Sequence, residues 1–384
     1  MEVKQIYDIM NSVTRELLGE ETVVAEDLSN IVELGQQFED VVGLDNYVRK
    51  LPDHVGRVVF VDRKYEGRAP QILMDSWEYG SIIEKVATRI PDAVENEDWQ
   101  LNDGQSYDPN IFHAPDVYGE FWNKRVTFEI DMSITRKQVK SSFDSVTQLN
   151  SFLSMILNAI ETSLTVKLDA LIMRTINNMI GETFYNELPS GTYTGTSTVK
   201  AVNLLYMYNQ QYSANLTAGK AIVTPEFIRF ACYVMKNYID RMKVLSTIFN
   251  VGGEARFTPE SKLHVAMLSE FKNGADIFLQ SDTFHKEYTA LPNADSIPFW
   301  QGSGVGYAFG DTSNIKIKTA SGHDIDAGGI LACMFDRDAL GVSNLAKEVR
   351  THYNEKADFW NYFYNAFAGY FNDTNENFVV FYVA

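Results

Sequence analysis

Cysteine is nearly missing from this 384-residue chain, which carries only Cys232 and Cys333. Both sit in apolar runs, 230–235 and 330–335, so the expectation is two buried free thiols in a reducing, cytoplasm-like compartment and not a disulfide framework. Histidine is scarce as well. The six histidines include no pair at i, i+4 spacing and none joins a Cys/His cluster, which removes the usual zinc patterns. Positive charge is short: 33 Lys and Arg face 51 Asp and Glu, a formal net charge of −18. A direct nucleic-acid reader needs a basic surface to displace counterions from phosphates, and this chain does not offer one. No apolar stretch approaches the roughly 20 residues of a membrane-spanning helix. The first twelve residues lack the basic-then-apolar order of a secretory signal.

What the chain does have is aromatic bulk. It carries 24 Phe and 20 Tyr, and 45% of its residues are hydrophobic, enough for a real core and for wide contacts between subunits. Its length suits two or three packed units. Residues 1–50 read as short helices on an arm, with Ile6, Ile9, Met10, Val13 and Leu17 at helical spacing, and 55–62 as a strand. Residues 82–90 carry a period-2 face of Ile82, Val86, Thr88 and Ile90, interrupted by Glu84. From 126 to 134 the alternation is strict: Val126, Phe128, Ile130, Met132 and Ile134 share one face. Between these strands, 91–123 is rich in Asp, Asn, Pro and Gly, with Trp99, Tyr107, Phe112, Tyr118 and Trp122 interspersed. A connection of that length in a compact protein usually does something. It reads as a projecting two-stranded arm that lies on another surface, with a plain surface loop as the bland alternative.

The strongest helix spans 147–180, where Leu149, Leu153, Ile156, Ile160, Leu164, Leu168, Leu171, Ile172, Ile176 and Met179 recur at three- and four-residue intervals until Gly181 ends the run. At 1.5 Å per residue it is about 50 Å long, a girder beside ordinary helices of about 11–12 residues. A mixed region follows: helices at 202–212 and 225–239, short strands at 221–223, 263–268, 315–318 and 330–335, and aromatic, β-prone segments at 359–364 and 378–383.

No active site emerges. The glycine run 302–306 lacks the strand, helix and acidic residue of a dinucleotide fingerprint. Asp336 and Asp338 flank Arg337, which favours a local ion-pair cluster over a carboxylate pair for catalysis. Asp324 and Asp326 beside His323 fit a plain turn. No Gly-x-Ser-x-Gly elbow occurs. The expectation is a structural protein with no catalytic, cofactor-binding or metal-ligating residues and no cofactor.

Three stretches carry a resemblance: Asn110-Ile111-Phe112-His113 leading into Phe143-Asp144-Ser145; the helix segment from Ser151 to Ile160; and Phe359-Trp360-Asn361-Tyr362-Phe363-Tyr364. Together, in this order, the chain resembles tailed-bacteriophage major capsid proteins of the Hong Kong 97 fold, in particular the phi-twenty-nine-like podophage capsid proteins. The resemblance implies an α+β fold with an N-terminal arm (1–60), a first part of the peripheral domain (61–81) and an extended β-hairpin loop (82–134, legs 82–90 and 126–134, tip 91–123). It then implies peripheral domain (135–198, spine helix 147–180), axial domain (199–334), a peripheral β-hairpin (335–371) and a closing axial strand (372–384). It further implies self-assembly into pentamers and hexamers of an icosahedral head that encloses double-stranded DNA without sequence-specific contact, which an acidic wall allows. A separate scaffolding protein and a portal at one vertex would be partners, with no membrane involved. The protein would reside in the virion after assembly in the bacterial host cytoplasm. Trp99, Tyr107, Phe112, Tyr118, Trp122 and Lys124 are the expected inter-subunit contacts, and no Lys–Asn crosslink can be assigned. Two alternatives stand beside this: an encapsulin-type compartment shell, and an enzyme with an unrecognised site.

Overall fold

The computed structural model describes residues 72–74, 83–91, 112–135, 146–280, 294–301, 308–319 and 321–384, with the isolated positions 93, 103, 110 and 306. The helical runs expected over 1–50 and the strand at 55–62 lie outside the described residues. The strands, in chain order, are β1 (Leu73–Met74), β2 (Ile83–Thr88), β3 (Val117–Trp122), β4 (Arg125–Thr135), β5 (Ala201–Asn203), β6 (Leu263–Leu268) and β7 (Ala294–Ile297). They continue as β8 (Ile315–Lys318), β9 (Asp324–Ala327), β10 (Ile330–Asp336), β11 (Leu340–Asn354), β12 (Phe359–Asn372) and β13 (Phe378–Tyr382). The helices are α1 (Val146–Glu187), α2 (Leu204–Tyr212), α3 (Ala218–Ala221), α4 (Pro225–Met242), α5 (Ser269–Gln280) and α6 (Phe309–Thr312). The chain divides into two compact units: residues 1–78, 125–174 and 342–369 form one, and 79–124, 175–341 and 370–384 the other.

The first unit carries a four-stranded sheet in the order β1-β11-β12-β4. β4 and β12 pair antiparallel from Phe359 opposite Thr135 to Gly369 opposite Arg125. This register sets the alternating apolar face of β4 against the buried face of β12: Ile134 on Trp360, Met132 on Tyr362, Ile130 on Tyr364, Phe128 on Ala366 and Val126 on Ala368. Large residues meet small ones at the β12 end that carries alanine, so the layer stays even. Such cross-strand pairs contribute about 0.2–1 kcal/mol each. The part of α1 in this unit buries Ile160, Leu164, Leu168, Leu171 and Ile172, the stripe that helical spacing dictates.

The second unit is built on a five-stranded mixed sheet, β5-β13-β10-β6-β7. All seven residues of β10 and all five of β13 are buried, as expected of central strands covered on both faces. Helices α2, α4 and α5 share one core with this sheet, in which Phe227, Ala231, Met235 and Met242 of α4 join Val265, Met267, Leu331, Val379 and Phe381. Both cysteines are buried free thiols, Cys232 in α4 and Cys333 in β10, and burial pushes the Cys232 thiol up to about 12.

Several elements depart from the sequence expectation, each for a local reason. Helix α1 ends at Glu187, not at 180. Gly181 lies inside it: a Cβ there would come within 2.9 Å of Thr319 Cγ2, so the glycine serves a close approach and not a left-handed cap. The helix stops before Leu188-Pro189, where proline disfavours helical backbone in the residue preceding it. Residues 221–223, expected as a strand, end α3 and lead into α4, whose first position is Pro225. The helix expected from 202 begins at Leu204, because Ala201–Asn203 pairs in parallel with β13 and Asn203 Oδ1 caps α2 by accepting from Tyr206 N at 3.1 Å. The long hairpin expected from 335 begins at Leu340, since Ile330–Asp336 belongs to the five-stranded sheet.

Candidate functional site

The feature with the most unusual chemistry is the β2–β3 hairpin of the second unit. Its six residue pairs run antiparallel from Ile83 opposite Trp122 to Thr88 opposite Val117. Strand geometry sends alternate side chains to opposite faces. Ile83, Lys85, Ala87, Tyr118, Glu120 and Trp122 are half-buried on one face, and Glu84, Val86, Thr88, Val117, Gly119 and Phe121 are exposed on the other. Ile83, Ala87 and Trp122 follow the usual inward placement of apolar residues, but other positions depart from it. A hairpin lying on its own unit ordinarily turns apolar residues inward and charge outward. Here the inward face carries a lysine and a glutamate, while Val86 and Phe121 stand 60% and 65% exposed on the outward face.

The inward face is fastened by a charged clasp. Lys85 Nζ donates to Asp373 Oδ2 and to Glu376 Oε1, each at 2.6 Å, and to the Asp338 carbonyl at 3.4 Å. Burial of the ammonium pushes its pKa down, but the attraction and hydrogen bonds of Asp373 and Glu376 outweigh this and leave it above the ordinary lysine value. Arg256 Nε donates to Glu376 Oε1 at 3.2 Å, and its guanidinium donates to the Tyr118 hydroxyl. The Tyr118 ring has Arg89 and Arg256 guanidiniums at 5.4 and 5.7 Å from its centre. Arg89 in turn pairs with Glu254 at 2.8 Å and Asp116 at 3.0 Å. The Glu254 carboxyl is held below its usual range chiefly by the Arg89 hydrogen bond. Glu120 accepts from Asn375 Nδ2, and burial, then the nearby Asp373 charge, raise its carboxyl. Trp122 packs on Phe371 with ring centres 5.2 Å apart. The exposed Arg89 pairs add little, so the Lys85 centre, with Asp373 only 3% exposed, holds the hairpin.

The expected contact residues fall in different places. Trp99 and Tyr107 lie outside the described residues. Phe112 is 86% exposed and Lys124 is exposed. Tyr118 and Trp122 are brought together on the inward face, bonded to their own unit. The expected hairpin legs, 82–90 and 126–134, do not pair. The first leg pairs with Val117–Trp122, and the second belongs to β4 in the sheet of the other unit. β4 needs an eleven-residue partner with a matching apolar face, and β12 supplies it. The hairpin is also not free along its length, because the clasp ties its paired part down. Sequence reasoning missed Lys85, Arg256, Asp373 and Glu376. The available signal was Lys85 flanked at two-residue spacing by Ile83 and Ala87, which puts charge on a face that is otherwise apolar.

Other polar residues singled out in the sequence have structural partners of their own. Lys262 pairs with Asp338 at 2.6 Å, and Asp336 accepts from Asp338 N at 2.9 Å, with burial raising its carboxyl. His323 stacks on Tyr185 at 3.6 Å, and Asp326 pairs with Lys316 at 3.1 Å. Residues 302–305 of the glycine run lie outside the described residues. Among the described residues no group of three or more His, Cys, Asp or Glu could hold a metal ion, and no helix is long and apolar enough to cross a membrane.

A family model for Phi29-like phage major capsid proteins matches residues 10–382. The chain is similar to a chain in the capsid structure of Staphylococcus phage Andhra, with a TM-score of 0.51 at 12% identity over 84% of this chain and 86% of that one. It is similar to the same degree, TM-score 0.51 at 10% identity over 85% and 86%, to a chain in the structure of head fiber and inner core protein gp22 of native bacteriophage P68. At these identities the likeness is one of fold. No curated protein matches the sequence.

Proposed function

The chain belongs to the Phi29-like phage major capsid protein family, and from that premise we propose how its fold builds a shell. As a member it is a structural protein of the virion and not an enzyme: the major capsid protein of a tailed phage, which oligomerises into capsomers of an icosahedral head. In our reading the capsomers are pentamers and hexamers. The unit with the β1-β11-β12-β4 sheet serves as the peripheral domain, and the unit with the five-stranded sheet as the axial domain. Helix α1 acts as the spine. The reaching element has β2 and β3 as its legs, in place of the 82–90 and 126–134 expected from the sequence. A scaffolding protein guides assembly and a portal occupies one vertex. The net charge of −18 suits a wall that encloses DNA without gripping it.

The observation that carries this reading is the set of apolar side chains that the clasped hairpin leaves exposed. Lys85 and Glu120 are spent on its own unit, while Val86, Val117 and Phe121 are left outward beside Glu84, where a neighbouring copy would cover them. Burying the exposed parts of Val86, Val117 and Phe121 would contribute on the order of 3–5 kcal/mol per copy. In a closed shell each copy both gives and receives such a contact, so modest single contacts act together. The test is the double substitution Val86→Asp, Phe121→Asp in the full chain, co-expressed with the proteins of the phage head. The expected product is a folded, soluble subunit that sediments as small species. Particles formed at the unsubstituted yield would refute the role of this face.

A further inference from the structure

Residues 243–258 leave the end of α4 and return beside it, closed by the bond from Thr258 N to the Met242 carbonyl at 2.7 Å. The loop is anchored throughout. Phe249 is 2% exposed and its carbonyl accepts from Phe378 N at 2.9 Å. Asn250, 1% exposed, accepts from Glu254 N at 2.9 Å and donates to the Glu254 carbonyl at 2.6 Å. Gly252 N donates to the Thr374 carbonyl at 2.9 Å, and a Cβ on Gly252 would strike the Asn375 side chain. Across the loop, Ser246 and Arg256 exchange both backbone bonds, at 2.9 and 3.0 Å, as an antiparallel bridge.

That bridge fixes which way its neighbours point. Arg256 turns inward to Glu376 and Tyr118. Leu245 and Phe257 are the next positions on one and the same side of this bridge, and strand alternation turns them away from the face of Arg256. They are 48% and 55% exposed, and Val244 and Ile248 of the same loop are 64% and 50% exposed. A loose loop could fold such side chains in. This one cannot, because its anchors hold the backbone, so the apolar group is a preformed surface. Lys243, paired with Asp240 at 3.4 Å and Glu260 at 3.1 Å, gives it a polar rim, the usual anatomy of a contact patch.

We propose that Val244, Leu245, Ile248 and Phe257 form a second docking face for another copy of this chain, distinct from the outward face of the hairpin. The occupant is a second copy because the chain belongs to a family whose members build capsomers from one repeated subunit. A closed ring of identical copies requires two different faces on each, one giving and one receiving. The inference rests on the assembly reading above. It is tested on the unsubstituted full-length protein by hydrogen exchange, comparing free subunits with assembled particles. Amides of 244–257 are expected to slow at least tenfold on assembly. Leu245→Asn with Phe257→Asn is expected to lower the assembled fraction at least tenfold while the free subunit keeps its unfolding temperature. If particles form and the hairpin amides slow but those of 244–257 do not, this face is refuted while the assembly reading stands. If the unsubstituted chain forms no oligomer, both fail together.

Discussion

Replacing Lys85 with methionine isolates the clasp, because methionine keeps most of the aliphatic stem and removes only the charge. Lys85 bridges two carboxylates at 2.6 Å each, and its own side chain is 26% exposed against 3% for Asp373 and 10% for Glu376. Glu376 keeps Arg256 at 3.2 Å after the substitution, so the loss concentrates on Asp373, left nearly buried without its cation. Removing one partner of a buried pair costs about 3–5 kcal/mol, and the partial exposure of Lys85 puts this case at the low end, about 3 kcal/mol. At about 1.4 kcal/mol per tenfold, release of the hairpin from its unit becomes roughly a hundredfold more frequent. Hydrogen exchange of the β2 and β3 amides in the free subunit reads this directly, because the loss is local and need not lower the global unfolding temperature. Adding Asp373→Leu should restore most of the protection, since the uncompensated charge and not the lost pair dominates the cost. A change below about twofold in Lys85→Met would refute the clasp.

Three further outcomes test other parts of the fold. Gly181→Ala brings a methyl within 2.9 Å of Thr319 Cγ2, and thermal unfolding should show a loss of about 1–2 kcal/mol. Thr319→Ser removes the struck methyl, so the double variant should recover and gain up to about 1 kcal/mol of helix propensity. Leu164→Pro, at a position 1% exposed within α1, should cost about 3 kcal/mol or more and yield insoluble or unassembled protein in a solubility and sedimentation assay. His264, stacked on Phe335 with ring centres 5.7 Å apart, has its pKa lowered from 6.5 by burial. The unfolded chain therefore takes up the proton first as pH falls through 6.5, and stability drops until the folded pKa is passed. His264→Phe should remove that part of the decline when unfolding temperatures are compared between pH 7.5 and 5.

The local elements were largely written in the sequence, while their partners were not. Strict alternation over 126–134 identified the buried face of β4, and helical spacing identified Ile160, Leu164, Leu168 and Ile172 as the buried stripe of α1. Alternation fixes a face but carries no information about the mate. Two alternating segments close in sequence therefore look like mates, although β4 pairs with Phe359–Gly369 far along the chain. The hairpin failed for a different reason. In Val117–Trp122 the inward residues are Tyr118, Glu120 and Trp122 while Val117 and Phe121 face outward, so the rule that apolar residues face inward does not choose a side. A segment that breaks the rule is where a binding surface is expected, and the aromatics expected to reach a neighbour were in part the ones holding the arm down. Gly181 shows the same ambiguity at one position: a glycine after a helical run reads as a stop, and only the neighbouring Thr319 reveals it as a close approach.

An electron-microscopy map of the assembled particle, at a resolution that shows side chains, decides the matter most directly. Side chains of Val86 and Phe121 are expected within roughly 4.5 Å of apolar atoms on an adjacent copy, with Lys85 still on Asp373 and Glu376. Finding both residues bare to solvent in every copy of a closed shell would contradict the assembly role assigned to the hairpin.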